Sequence, residues 1–243
     1  MSARERADRL LVARGVFDSR AKAQAAIVAG LVTADDRPVR KPSDEIACDA
    51  RLAAVPAFPW VSRGGVKLAH ALDALAVDVA DKACLDVGAS TGGFTEVLLA
   101  RGAARVFAVD VGRDQLHSLL RARPEVISIE ATDIRALDPA RIAPLPEIVV
   151  ADVSFISLKL ALPAALALAA PRATLVALIK PQFEAPRQHR KKGVIRDPAT
   201  HEAVCADIAG FVATLGWRVL ATLPSPIEGG EGNREFFIGA QRD

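Results

Sequence analysis

Two sets of residues in this sequence have the types and spacing to do chemistry: three acids that each close an apolar run, and a lysine–acid–lysine–acid series. Asp86 precedes the turn in Leu85-Asp86-Val87-Gly88-Ala89-Ser90-Thr91-Gly92-Gly93-Phe94, Asp110 ends the next apolar run (RVFAVD), and Asp133 follows the third in ATDIR. Glycines in such a turn let backbone pass close to a ligand. The spacing G-x-G-x-x-G is absent, and with it the tight amide cradle that a pyrophosphate needs. Acids in its place favour a cationic ligand. Asp86 could face an amino or sulfonium group, Asp110 ribose hydroxyls, and Asp133 an adenine amine. Gly88, Ser90, Gly92, Gly93 and Phe94 complete this candidate loop. The pattern points to S-adenosylmethionine, with NAD a weaker alternative. Helix capping competes as an explanation for each acid alone, and less well for three at successive strand ends.

The second set is Lys67 in SRGGVKLAHAL, Asp152 ending EIVVAD, Lys180 ending ATLVALIK, and Glu235 opening EFFIGAQ. A lysine that closes an apolar strand is costly unless paired or near solvent. A hydroxyl is a poor nucleophile until its proton is removed. A lysine base, with a reference pKa of about 10.4, must be brought toward about 7–8 to remove it at neutral pH. A second cation and partial burial push that way, while carboxylates push back and hold the amine in place. Singly, each residue reads as readily as a surface ion-pair partner. Beyond Lys180, the basic residues Arg187, Arg190, Lys191 and Lys192 suit a phosphate-gripping lip. Phe155, Phe183 and Trp60 are the candidates to stack a splayed base.

The elements that must position these residues follow from periodicity. ACLDVG, RVFAVD, VISIE, EIVVAD, ATLVALIK, WRVLATL and EFFIGAQ are apolar runs, most of them separated by helix-length segments. That order predicts an α/β fold with a seven-stranded doubly wound sheet. Only a loop joins the last two runs, which predicts an antiparallel final strand. Pro56, Pro59 and Gly64-Gly65 break the pattern ahead of it, so the chain divides into domains 1–58 and 59–243. The first reads as a helix in ERADRLLVARG, a second in RAKAQAAIVA capped by Ser19 or Asp18, and a hairpin around Asp35-Asp36. Arg6, Arg14, Arg20, Lys22, Arg37, Arg40 and Lys41 lie in this small α+β domain. Residues 4–51 carry ten basic and eight acidic groups, so only segregation onto one face could make an RNA surface.

Three resemblances sharpen this reading. Arg6, Asp8, Leu10, Leu11, Ser19, Arg20, Ala23, Ile27, Gly30, Val32 and then Lys41-Pro42-Ser43-Asp44 resemble the RNA-binding module named after ribosomal protein S-four. The order Lys67, Asp152, Lys180, Glu235 resembles the tetrad of FtsJ-like ribose 2′-O-methyltransferases. Both domains together, with D-V-G-A-S-T-G-G-F, A-D-V-S-F-I-S-L, L-I-K-P-Q-F-E, K-G-V-x-R-D and G-N-x-E-F, resemble the TlyA family. The resemblance implies a Rossmann-like class I methyltransferase domain acting on cytidine 2′-hydroxyls of ribosomal RNA, free or within ribosomal subunits. It also implies a catalytic role for the four tetrad positions. Members of that family first went under the name hemolysin.

Composition narrows the alternatives. A net charge of +2 over 243 residues does not by itself imply nucleic acid. Cys48, Cys84 and Cys205 are odd in number and far apart, and the four histidines share no ligand spacing with them, so neither a disulfide framework nor a metal is expected. The N-terminal residues show no secretory pattern. The apolar stretch around Leu160–Ala170 is interrupted by Pro163 and too short for a span, so a cytoplasmic protein with no membrane partner is expected. A non-catalytic RNA-binding or assembly factor and a membrane-lytic protein remain the competing classes.

Overall fold

Helix-forming and apolar segments assemble into two units, Met1–Ser62 and Arg63–Asp243, in a computed structural model that describes residues 3–186, 193–229 and 232–243. The first unit runs β1 (Arg4–Arg6), α1 (Ala7–Ala13), α2 (Arg20–Val28), β2 (Val32–Ala34), β3 (Arg37–Pro38), β4 (Glu45–Ala47) and β5 (Leu52–Ala54). Ser19 caps α2, its Oγ accepting from Lys22 N at 3.4 Å. Asp35 and Asp36 turn the β2–β3 hairpin with φ of +48° and +61°, the left-handed conformation a two-residue turn needs and aspartate tolerates. Leu11, Ala23, Ile27, Val32 and Val39 form its core.

Helix is expected from Glu5, but the structure starts it at Ala7. Arg4–Arg6 pair antiparallel with Glu45–Ala47 instead. That partner lies far along the chain, where local periodicity cannot reveal it.

The second unit runs α3 (Arg63–Ala74), β6 (Ala83–Val87), α4 (Gly93–Ala100), β7 (Arg105–Val109), α5 (Ser118–Arg121), β8 (Val126–Ile129), β9 (Ile148–Ala151), α6 (Leu158–Ala167), β10 (Ala173–Ile179), α7 (Pro181–Glu184), α8 (Pro198–Thr214), β11 (Arg218–Pro224) and β12 (Phe236–Arg242). All seven strands form one sheet in the order β11-β12-β10-β9-β6-β7-β8. Strands β6 and β9 are buried along their whole length, as expected for parallel strands covered on both faces. The final strand is antiparallel, and it pairs with β10 as well as β11. Between β8 and β9 the chain makes only two three-residue 3₁₀ turns, Ile134–Ala136 and Pro139–Arg141, where a regular repeat would place a helix. Helix α6 runs through Pro163. Among the described residues no helix is long and apolar enough to cross a membrane.

The strand order reverses between β6 and β9. Open α/β sheets bind ligands in the crevice at the carboxyl ends of strands at such a point. Asp110 follows β7, Asp152 follows β9, and Lys180 follows β10, so the topology delivers all three to that edge.

Candidate active site

A cavity of about 350 Å³ opens at the reversal, within the range of small-molecule sites. Gly88, Ser90, Asp110, Asp133 and Asp152 lie on its wall. Gly88 has φ +83°, and a Cβ there would stand 2.6 Å from the Asp152 carbonyl oxygen. Only glycine lets the loop after β6 pass so close to the end of β9. Gly88→Ala is therefore expected to lower unfolding stability by about 1–3 kcal/mol in urea titrations and to shift Asp152 out of place. An unchanged midpoint would mean the loop has room to move.

Asp110 organises the loop. Its Oδ2 accepts from Ser90 N at 2.8 Å and its Oδ1 from Gly112 N at 2.7 Å. Asp133 caps the first 3₁₀ turn and holds Arg135 at 2.6 Å. Two wall residues have no signal in the sequence. Val111 is 71% exposed against the cavity, an apolar surface for a flat ring, and Gln115 accepts from Ser90 Oγ at 3.1 Å. These residues fit S-adenosylmethionine. Acids on the wall suit its positive charges and ribose hydroxyls, and the Gly88 approach leaves space where a side chain would stand.

The structure turns several expected contacts inward. Gly92 abuts Leu116 and Leu120, and Gly93 is buried at the start of α4. The Phe94 ring stacks on Phe237 in the core, 6.3 Å between centroids. Gly92, Gly93 and Phe94 are not among the residues that line the cavity, because α4 buries its first turn to pack on the sheet.

Asp86 is fully buried and does not line the cavity. Its Oδ2 accepts from Thr95 Oγ1 at 2.6 Å, while Oδ1 has no partner among the described residues. Burial pushes the carboxyl from 3.8 up to about 7; the Thr95 hydrogen bond opposes this and the charge of Asp152 adds to it. In the folded state Asp86 keeps a proton that the unfolded chain loses near pH 4. Stability is therefore full below that pH, falls as pH rises toward about 7, and levels off above. Asp86→Asn is expected to raise the thermal midpoint at pH 8, by about 2–4 °C per kcal/mol recovered, and to change it little at pH 4. Equal shifts at both pH values would rule out an ionisation cost.

The lysine–acid series forms two close pairs. Lys67 Nζ donates to Glu235 Oε2 at 2.5 Å, and both residues are buried. Lys180 Nζ lies 2.6 Å from Asp152 Oδ1, a close ion contact outside hydrogen-bond alignment. Its aligned hydrogen bond goes to Ser154 Oγ at 2.8 Å, a residue whose sequence context gives no hint of this. Strand pairing joins the two pairs. Ile179 faces Phe236 across β10 and β12, so Lys180 and Glu235 occupy the next rung. Strands β9, β10 and β12 are neighbours, and neighbouring strands lie about 4.8 Å apart. Gln182 is also buried here, its Nε2 at 3.5 Å from Glu235 Oε1.

Phe155 lines the cavity, 92% exposed with φ +66°. A bulky residue held in that conformation is strained, and its ring meets that of Phe183 at 5.2 Å. In the first unit, Arg6 and Arg20 both reach Asp8, Arg14 binds the Ala50 carbonyl, and Lys22 pairs with Asp18 at 2.8 Å. Arg37, Arg40 and Lys41 are exposed. Arg187, Arg190, Lys191 and Lys192 lie outside the described residues.

Comparison with known proteins agrees with this architecture. Residues 60–242 match the FtsJ-like methyltransferase model and residues 5–47 the S4 domain model. The chain is 44% identical over 241 residues to the 16S/23S rRNA (cytidine-2′-O)-methyltransferase TlyA of Mycobacterium tuberculosis, covering 98% of this chain and 90% of that one. It is 36% identical to Hemolysin A of Brachyspira hyodysenteriae, covering 95% and 97%. A solved structure from Streptococcus thermophilus that carries a hemolysin name superposes with a TM-score of 0.80 at 39% identity, covering 100% of this chain and 90% of that one.

Proposed function

Because this chain belongs to the FtsJ-like methyltransferase family, we propose that it transfers a methyl group from S-adenosylmethionine to the ribose 2′-hydroxyl of a cytidine in ribosomal RNA, acting in the cytoplasm. The observation that carries the mechanism is the buried Lys180 amine, set between Asp152 and Ser154 at the edge of the cavity.

Bound in that cavity, S-adenosylmethionine supplies an electrophilic methyl group on a positively charged sulfur. Asp110 and Asp133 would hold it, with Val111 against its base. Lys180 Nζ, in its neutral amine form, would take the proton of the 2′-hydroxyl as that oxygen attacks the methyl and the methyl–sulfur bond breaks. Asp152 and Ser154 fix that nitrogen, so the amine meets the hydroxyl in one orientation. Glu235 stands across the rung from Lys180 and, paired with Lys67 from α3, keeps the neighbouring charge balanced. The S4 domain grips the RNA backbone, and Phe155 with Phe183 offers a stacking face for an unstacked base. Phe155→Ala is expected to raise the KM for RNA by about 5–100-fold, the range of a lost base stack. An unaltered KM would leave Phe155 without a role in RNA contact.

The deciding experiment offers labelled S-adenosylmethionine and the protein to ribosomal subunits from a strain lacking this gene. Label recovered in 2′-O-methylcytidine is the expected result. No transfer to either subunit or to free ribosomal RNA, with cofactor binding intact, would favour a non-catalytic RNA-binding factor.

A further inference from the structure

The first unit buries one carboxylate completely, and methyl transfer makes no use of it. Asp8, in the first turn of α1, is 0% exposed. Its Oδ1 accepts from Arg6 Nε at 3.1 Å. Its Oδ2 accepts from Arg6 Nη2 at 3.2 Å, Arg20 Nη2 at 2.7 Å and Gln24 Nε2 at 2.8 Å. A buried carboxylate is costly unless paired, and these donors, Arg6 foremost, hold its pKa well below the usual range. The arginines themselves are not buried: their side chains are 41% and 51% exposed. Each guanidinium carries five N–H groups, so most remain available after the bonds to Asp8.

The backbone brings further cations alongside. Asp8 N donates to Pro42 O at 3.2 Å and Ala7 N to Asp44 O at 2.8 Å, which lays the Arg40–Asp44 loop against the start of α1. The Asp44 carboxylate in turn accepts from Arg40 N at 3.0 Å and Lys41 N at 2.9 Å, fixing the backbone that carries those two exposed side chains. For stability alone a buried ionic cluster is no better than an apolar core of similar volume. A carboxylate does something an apolar residue cannot: it holds two like charges close together, with their planes fixed and a net positive charge left over.

We propose that Asp8 is a positioning residue for RNA binding, setting Arg6 and Arg20 as one rigid clamp that, with the Lys41 loop, grips the phosphodiester backbone. This rests on reading the unit as RNA-binding. Free arginines lose rotamer freedom when they engage phosphate, and arginines already held lose less.

Asp8→Asn keeps the shape and removes the charge. The test measures anisotropy of a short fluorescent hairpin RNA with the full chain, between about 50 and 200 mM salt. The variant is expected to bind about 10-fold more weakly, with a salt slope shallower by about 1–2. Affinity for S-adenosylmethionine, read by calorimetry, should not change. In an Arg6→Ala/Arg20→Ala background the same substitution should add nothing. An equal loss in both backgrounds would mean that Asp8 acts only on the fold, and overturns the proposal. If circular dichroism shows that Asp8→Asn unfolds the unit, Arg20→Lys decides, because it keeps the charge and loses the planar fork. A several-fold loss then supports the clamp, and wild-type affinity and slope overturn it. Absence of RNA binding by the wild type would remove the RNA-binding reading itself, a failure distinct from wild-type binding that Asp8→Asn leaves unchanged.

Discussion

Lys180→Ala is expected to reduce methyl transfer by about 10³-fold or more while leaving affinity for S-adenosylmethionine within about two-fold. A positioned general base contributes about 10²–10⁴-fold, and the alanine variant also loses the group that orients the hydroxyl. Asp152 would then face the cavity with its cation gone, although at 21% side-chain exposure water can reach it. The fold should survive, since Lys180 stands beyond the last hydrogen-bonded residue of β10 and, among the described residues, its amine contacts the side chains of Ser154 and Asp152. Single-turnover assays with saturating cofactor separate the chemical step from binding. Retained turnover would remove Lys180 from the base role.

Asp110→Ala should act on the other half of the reaction, weakening S-adenosylmethionine binding by at least about 100-fold in calorimetry. Its carboxylate holds two loop amides, Ser90 N and Gly112 N. Hydrogen bonds to a charged group contribute about 1.5–3 kcal/mol each, and every 1.4 kcal/mol is a factor of ten. Without the carboxylate the loop loses its anchor, and the cavity loses an acceptor for ribose hydroxyls. Far-UV circular dichroism should be unchanged, because the amides at risk sit at the surface end of the sheet. Undiminished affinity would show that the cofactor binds elsewhere.

The strand ends that carry these residues are legible in the sequence because buried strands read as uninterrupted apolar runs, and the polar residue that stops each run lies at the carboxyl edge. Asp110, Asp152 and Lys180 are found this way, and Glu235 reaches the same edge because it opens the antiparallel final run. Which way a side chain points is not legible. Asp86 and Phe94 belong to the same motif as Gly88, yet Thr95 and Phe237 draw them inward through contacts that periodicity does not encode. Ser154 and Gln115 are ordinary loop residues whose partners are chosen by tertiary folding. In the first unit β1 and β4 are equally hidden, each three residues long and paired with a partner far along the chain, whereas the β2–β3 hairpin around Asp35-Asp36 is legible.

The Lys67–Glu235 contact joins residues 168 positions apart, and that separation constrains when the pair can form. During translation β10 and β11 emerge before β12, yet β12 ends up between them. Until β12 is made, Lys67 has no Glu235 carboxylate to pair with. Every other member of the series is already synthesised by then. A chain that stops between Lys180 and Glu235 therefore carries the cofactor loop and Lys180 but lacks the Lys67–Glu235 pair.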